Sequence, residues 1–306
     1  MGVRRFGAAR LLFLWLAPLL LAACGDVATT TPATPSPSPI PALQAVSASA
    51  QIVIGKDQRV AFGILDANGV PVPDVAVTLQ LFNLPPGASS SQGTPLGPPE
   101  PAPYQGDLLQ GKGVYVVHQS FDKPGFYSAT VQARKGPVTT TTTAAFQVLA
   151  TDPTPAVGTA APRTQNATKD QVTDISTIDT GVPPDDMHYI SVAGAIAAHH
   201  PFVVYFGSPS FCRSKTCGPQ VEVVKTLEAK YRSRGIDFVH IETFKGGHPD
   251  NSDLTKATTS PWFDEWHLTT DPWVFVVDAS GNVAAKFDGP TAPGEIDPAL
   301  AAVAPR

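Results

Sequence analysis

Residues 151–170, TDPTPAVGTAAPRTQNATKD, have no hydrophobic periodicity and are rich in Pro, Thr, Ala and Gly. No single core is expected to run through such a stretch. It divides the chain into two segments with different rhythms, and the length suits two domains. Upstream, Val60, Phe62 and Ile64 alternate with other residues. Asp66-Ala67-Asn68-Gly69 then offers a turn, and Val75, Val77, Leu79 and Leu81 resume the alternation. Apolar residues two apart share one face of a strand, so this pattern predicts half-buried strands. A Pro/Ser/Gly-rich loop follows from about Pro85 to Lys112. Gly113 to Val117, Phe126 to Ala133 and Val138 to Val148 supply three more strands. Alternating strands with Pro/Gly turns across 44–150 fit a β-sandwich. A lone strand histidine such as His118 is expected to be structural or solvated.

Downstream, Ser191 to His200 suits a short helix and Pro201 to Phe206 a buried strand. Gly218-Pro219 is a favoured helix start, because proline's missing N–H costs nothing at the first helical position. Val221, Val224, Leu227 and Tyr231 keep an apolar face to about Arg234, where Gly235 stops the helix. Ile236 to Ile241 and Trp273 to Val277 read as strands, with a short helix over Trp262 to Leu268 between them. A hairpin turn at 279–282, a strand from Val283 to Phe287 and a helix from Glu295 to Val303 complete the segment. The order implies a mixed sheet with helices on its faces.

Two resemblances sharpen these expectations. The pieces DANGVPVPDVAVTLQL, GVYVVHQSF and KPGFYSATVQA look like an immunoglobulin-like module of bacterial surface proteins, which implies a spacer or interaction module without catalytic residues. PFVVYFGSPSFCRSKTCGPQVEVVKTL resembles the strand, cysteine loop and first helix of thioredoxin-like proteins. TTDPWVFVVDASGNVAAKFDG is similar to their later segment, in which a cis-proline precedes a strand and a hairpin. The likeness covers about 125 residues. It implies that Pro272 is the cis-proline and that Asp271, Pro272 and Trp273 border a substrate groove. It also implies that Cys212 and Cys217 form the redox pair.

The chain departs from the thioredoxin pattern at defined places. Four residues, Arg213 to Thr216, separate the cysteines, where the redox motif has two. Counted from the strand, Cys212 stands near the usual nucleophile. Counted from the helix, Cys217-Gly218-Pro219-Gln220 matches Cys-Gly-Pro-Cys with Gln220 in place of the second cysteine. Phe211 replaces the usual tryptophan, and Tyr205 stands where thioredoxins often bury an aspartate. Asp271 would raise the pKa of a nearby thiol. Cys217, adjacent to the helix start, is expected to attack, because unsatisfied N–H groups there stabilise a thiolate. Cys212 is then the resolving partner. The alternatives are a structural disulfide in a redox-inert binding or adaptor protein, and handling of copper or another metal with His240, His248 or His267. No histidine spacing matches a ligand signature, so these three are expected at the surface or in packing, and no metal or cofactor is expected.

The N-terminus supplies the compartment. Arg4, Arg5 and Arg10 precede an apolar run from Leu11 to Ala23, the layout of a secretory signal too short to span a bilayer. Leu21-Ala22-Ala23-Cys24 resembles the lipobox of bacterial lipoproteins, which implies lipid attachment at Cys24 and an extracytoplasmic, membrane-anchored chain. One of three cysteines is then lipidated, leaving Cys212 and Cys217 to pair in an oxidising compartment. Removal of residues 1–23 takes away three arginines and no acidic residue, so the formal charge goes from −5 to −8. With no basic stripe, nucleic acid is an unsuitable partner. Exported protein thiols or disulfides are the expected substrates. Phosphate loops, Gly-x-Ser-x-Gly elbows and His-Glu-x-x-His helices are absent from the sequence. Asp185-Asp186 and Asp264-Glu265 are expected to be solvated. The expected organisation is a signal over 1–23, a tether over 24–43, the sandwich over 44–150, a linker over 151–179 and the thioredoxin-like domain over 180–306.

Overall fold

The computed structural model describes residues 43–73, 75–88 and 93–305. The expected signal, most of the tether and Cys24, the expected lipid attachment, lie outside them. No helix of the described residues is long and apolar enough to cross a membrane.

The N-terminal half forms strands β1 (Leu43–Ser47), β2 (Ile52–Val53), β3 (Gly55–Asp66), β4 (Ala76–Leu84) and β5 (Thr94–Pro95). β6 (Glu100–Pro101), β7 (Tyr104–Gln105), β8 (Val114–Phe121), β9 (Gly125–Lys135) and β10 (Val138–Leu149) follow. They make two sheets, ordered β1-β3-β8-β7 and β2-β10-β9-β4-β5, with β6 also on β4. The period-two pattern explains the pairing. Val60, Phe62 and Ile64 of the first sheet share one core with Val77, Leu79 and Leu81 of the second. Phe121, Tyr127 and Phe146 close that core with ring centroids 5.0–6.1 Å apart. Each fully buried side chain of this size contributes roughly 1.5–3 kcal/mol. His118 is half-exposed beside Asp57, as expected of a solvated strand histidine.

The C-terminal half contains α1 (Val192–Ala197), β11 (Phe202–Phe206), α2 (Cys217–Tyr231), β12 (Asp237–Ile241), α3 (Pro261–Glu265), β13 (Trp273–Val277), β14 (Val283–Asp288) and α4 (Pro293–Val303). The sheet is mixed, in the order β12-β11-β13-β14, with β11 parallel to β12 and antiparallel to β13. Every residue of β11 and β13 is buried. A sheet covered on both faces needs such continuous apolar strands. Val203, Tyr205, Val274 and Val276 pack on the side of α2 and α4, while Phe202, Val204, Phe206 and Phe275 pack with α1 and Trp266. α2 runs into a 3-10 turn over 232–234 and stops at Gly235, whose φ of 81° is left-handed backbone that glycine adopts without strain.

Two parts of the chain differ from the sequence expectation. Residues 151–179, read as a linker, are fastened along the C-terminal half. The Ala161 N–H donates to Gly281 (2.9 Å) and the Val283 N–H to Thr159 (2.9 Å). The buried Trp266 ring nitrogen donates to Thr164 Oγ1 (2.8 Å), and the Val192 N–H donates to Asn166 Oδ1 (2.9 Å). These contacts are polar and irregular, so hydrophobic periodicity does not reveal them. The sandwich half, read as a separate domain, also touches the C-terminal half, and the described residues from Leu43 onward lie in one compact unit. Arg59 of β3 forks onto Glu295 of α4, with Nε–Oε2 at 2.6 Å and Nη2–Oε1 at 3.1 Å, and also donates to the carbonyls of Asp288 and Pro290. Leu109, from the long loop of the sandwich half, is fully buried in the α2–α4 core.

Candidate functional site

Strand β11 ends at Phe206, and the loop after it returns the chain to the start of α2. Cys212 lies in this loop and Cys217 is the first residue of the helix. The two are joined as a disulfide, with Cα atoms 5.8 Å apart, within the span that the bond tolerates. Their surroundings differ. Cys217 is fully buried, whereas Cys212 is part-exposed. The Cys217 N–H donates to Cys212 Sγ at 3.2 Å, and Ser214 Oγ lies 3.1 Å from the same sulfur. The helix N-terminus therefore acts on Cys212, although Cys217 is nearer in sequence. Entering the first helical turn carries the Cys217 sulfur inside, which does not favour the expected attack by Cys217.

The replaced positions have structural explanations. Tyr205 donates its hydroxyl to the Cys217 carbonyl (2.8 Å), and burial pushes its phenol well above the usual value. It clamps the helix start and is a poor proton acceptor there. Gln220 is buried and makes two bonds to the Thr291 backbone, at 3.1 and 2.8 Å, fixing α2 to the loop before α4.

The Asp271–Pro272 peptide is cis. An Asp271 carboxylate oxygen lies within 4.8 Å of both sulfurs. Burial pushes this carboxyl above its ordinary range, although Thr243 Oγ1 donates to it at 2.8 Å. Of the three expected groove residues, Asp271 lines a surface cleft of about 420 Å³, together with Arg213, Ser214, Thr243, Phe244 and Leu254. Pro272 is buried and its carbonyl accepts from Gly289 (2.9 Å). Trp273 is also buried, its ring stacked on Phe275 at 5.5 Å. Neither of those two lines this cleft.

A second cluster was not read from the sequence as a unit. The loop before α1 and strand β12 bring together Asp179, Asp185, His188 and His240. Asp185, expected in solvent, has a side chain only 3% exposed. Burial opposes its ionisation, but the His240 contact prevails and holds it down to about 2. Burial likewise disfavours charge on His240, and the Asp185 carboxylate overrides it, raising the imidazole to about 10. The neighbouring Glu242 is buried and pushed upward, while accepting from the Thr180 N–H (2.6 Å) and from Ser208. The one available signal was a histidine inside the apolar run of β12. His248, by contrast, lies against Phe211, and neither it nor His267 joins a ligand cluster among the described residues.

No family model and no curated protein matches the chain. Among solved structures it is similar to a thiol:disulfide interchange protein of the thioredoxin family from Chlorobium tepidum TLS. That match has 20% identity and a TM-score of 0.31, covering 50% of this chain and 97% of the other. It is also similar to the Escherichia coli adhesin FdeC (16% identity, TM-score 0.22, 39% of this chain and 38% of the other). A third is the PKD domain of the human receptor SorCS2 (14% identity, TM-score 0.21, 44% of this chain and 98% of the other).

Proposed function

We propose that this chain is a lipid-anchored, extracytoplasmic thioredoxin-like protein that exchanges thiols and disulfides with exported proteins, Cys212 attacking and Cys217 resolving. One observation carries the reading: of the joined pair only Cys212 is part-exposed, and its sulfur accepts from the first backbone N–H of α2. In the reduced chain the Cys212 thiolate attacks a substrate disulfide. A mixed disulfide forms, and the first substrate sulfur leaves as a thiolate. Cys217, once deprotonated, attacks Cys212 Sγ, closing the internal disulfide and releasing the second substrate thiolate. The reverse sequence oxidises a substrate dithiol.

A redox titration of the folded chain tests this. A reduction potential above about −300 mV is expected for an exchanging pair, and a lower one identifies a permanent staple. Membrane attachment is tested by Cys24→Ser, which should move the chain to the soluble fraction; retention in the membrane argues against the lipid.

Asp271 sets the pH range. Its ionised carboxylate beside the sulfurs disfavours a second negative charge there, so it raises the thiol pKa. Because burial raises the pKa of Asp271 itself, this opposition begins only above the ordinary carboxylate range. Asp271→Asn removes it at every pH. The alkylation rate of reduced Cys212 against pH should therefore shift to lower pH in the variant; an unchanged midpoint would exclude electrostatic control by Asp271.

A further inference from the structure

The buried cluster at β12 has the donors of a metal site. Asp179, His188 and His240 are each 1% exposed, and one ligand atom from each, with one from Asp185, lies within 4.8 Å of the other three. His240 Nε2 sits 3.0 Å from the Gly207 carbonyl, which can only accept, so Nε2 carries its proton. Nδ1 is then the inward nitrogen, 2.8 Å from Asp185 Oδ2. A ring tied by one nitrogen to a carbonyl, and able to ligate with the other once the proton it gives to Asp185 leaves, is how metal-binding histidines are held.

His188 adds an independent indication. Its Nε2 lies 3.3 Å from Asp179 Oδ2 and 3.4 Å from Asp185 Oδ1. Those separations exceed the usual N–H···O range. They do match the edge of a tetrahedron whose ligands stand 2.0–2.1 Å from a zinc ion, about 3.3 Å. Its other nitrogen, Nδ1, is buried without a hydrogen-bond partner among the described residues. Among the described residues both carboxylates are paired with histidine alone, never with lysine or arginine. A divalent cation that displaces the shared His240 proton would balance the two negative charges.

The carboxylates are also held in advance. Asp179 accepts from the N–H groups of Gly181 (2.7 Å) and Asp185 (2.6 Å), and Asp185 accepts from that of Met187 (2.8 Å). Asp179 and Asp185 each line a surface cleft, which gives an ion a route inward.

We infer that Asp179, Asp185, His188 and His240 form a binding site for a divalent transition-metal ion of the zinc class. Two imidazoles and two carboxylates in a closed four-ligand set suit tetrahedral zinc. The ion would pin the loop over 179–188 to β12, a structural role separate from the cysteine pair.

The test uses the chelator-stripped full chain with its disulfide closed, so that the sulfurs are not ligands, titrated with zinc alone. One equivalent per chain is expected, with an unfolding midpoint that rises with zinc concentration. His188→Gln and Asp179→Asn should each weaken binding at least about 100-fold, while the Cys212→Ser/Cys217→Ser double variant binds as the parent does. Should either site variant fail to fold, cobalt added to the parent chain should give the intense visible bands of a tetrahedral nitrogen/oxygen site without a sulfur charge-transfer band. Absence of uptake at roughly 0.1 mM free zinc, full binding by folded His188→Gln, loss of binding in the cysteine double variant, or octahedral cobalt spectra would each overturn the assignment.

Discussion

Cys217→Ser is expected to accumulate a mixed disulfide through Cys212, while Cys212→Ser accumulates none. The asymmetry follows from access. A substrate disulfide must present a sulfur in line with the attacking thiolate, and Cys217 is fully buried at the first turn of α2. Cys212 is the sulfur that meets solvent, and it receives the Cys217 N–H at 3.2 Å. That backbone donor does not depend on the side chain of residue 217, so it persists in Cys217→Ser and still stabilises a Cys212 thiolate. With no resolving thiol, the covalent complex is left standing. Non-reducing electrophoresis of reduced variants mixed with a disulfide-bearing exported protein reads the result directly. Turnover should fall by on the order of a thousandfold or more in Cys212→Ser, as when a nucleophile is removed outright. Equal trapping by both variants would mean that the loop over 208–216 opens and exposes Cys217, and the assigned order of attack would be wrong. Trapping by neither, in folded protein, would leave the pair as a staple.

The sequence showed what repeats and missed what converges. Alternation in β3 and β4, the apolar runs of β11 and β13, and the Gly-Pro start and glycine stop of α2 are local patterns set by backbone geometry. The cysteine loop and Pro272 were visible because their order along the chain carries the likeness. Which of the two sulfurs is covered was not, because the direction in which α2 leaves the loop decides it. Of Asp179, Asp185, His188 and His240, the sequence singled out only Asp185, as solvated, and His240, as a surface or packing residue, and only the parallel pairing of β11 with β12 fixes where His240 sits. Residues 151–179 were misleading for a related reason. Their composition describes irregular backbone correctly but says nothing about whether it is docked.

The long loop of the sandwich half raises the same question in its sharpest form, and Leu109→Ala answers it with an expected loss of about 2–5 kcal/mol. By composition the loop from Pro85 to Lys112 is solvent-exposed connection, yet Leu109 is fully buried in the cluster formed by Val221, Val224 and Leu227 of α2 with Ile296 and Leu300 of α4. Its neighbours Leu108 and Gln110 have φ values of 62° and 51°, a left-handed turn on either side that non-glycine residues adopt only when something holds them. Burial of Leu109 supplies that hold, and Lys112 Nζ adds a bond to the Lys215 carbonyl (2.5 Å) in the cysteine loop itself. Truncation leaves a cavity between two packed helices that cannot readily collapse. Leu109→Met conserves the volume and should cost less than about 1.5 kcal/mol. The tryptophans make the readout selective, since Trp262, Trp266 and Trp273 all belong to the C-terminal half and Trp15 lies in the expected signal. Denaturant unfolding followed by tryptophan fluorescence on the chain from residue 24 onward therefore reports that half alone. A lowered midpoint in Leu109→Ala shows that a sandwich residue helps to hold up the fold that carries the cysteines. An unchanged midpoint would mean that the two halves unfold independently and that the docked loop adds nothing to the site it touches.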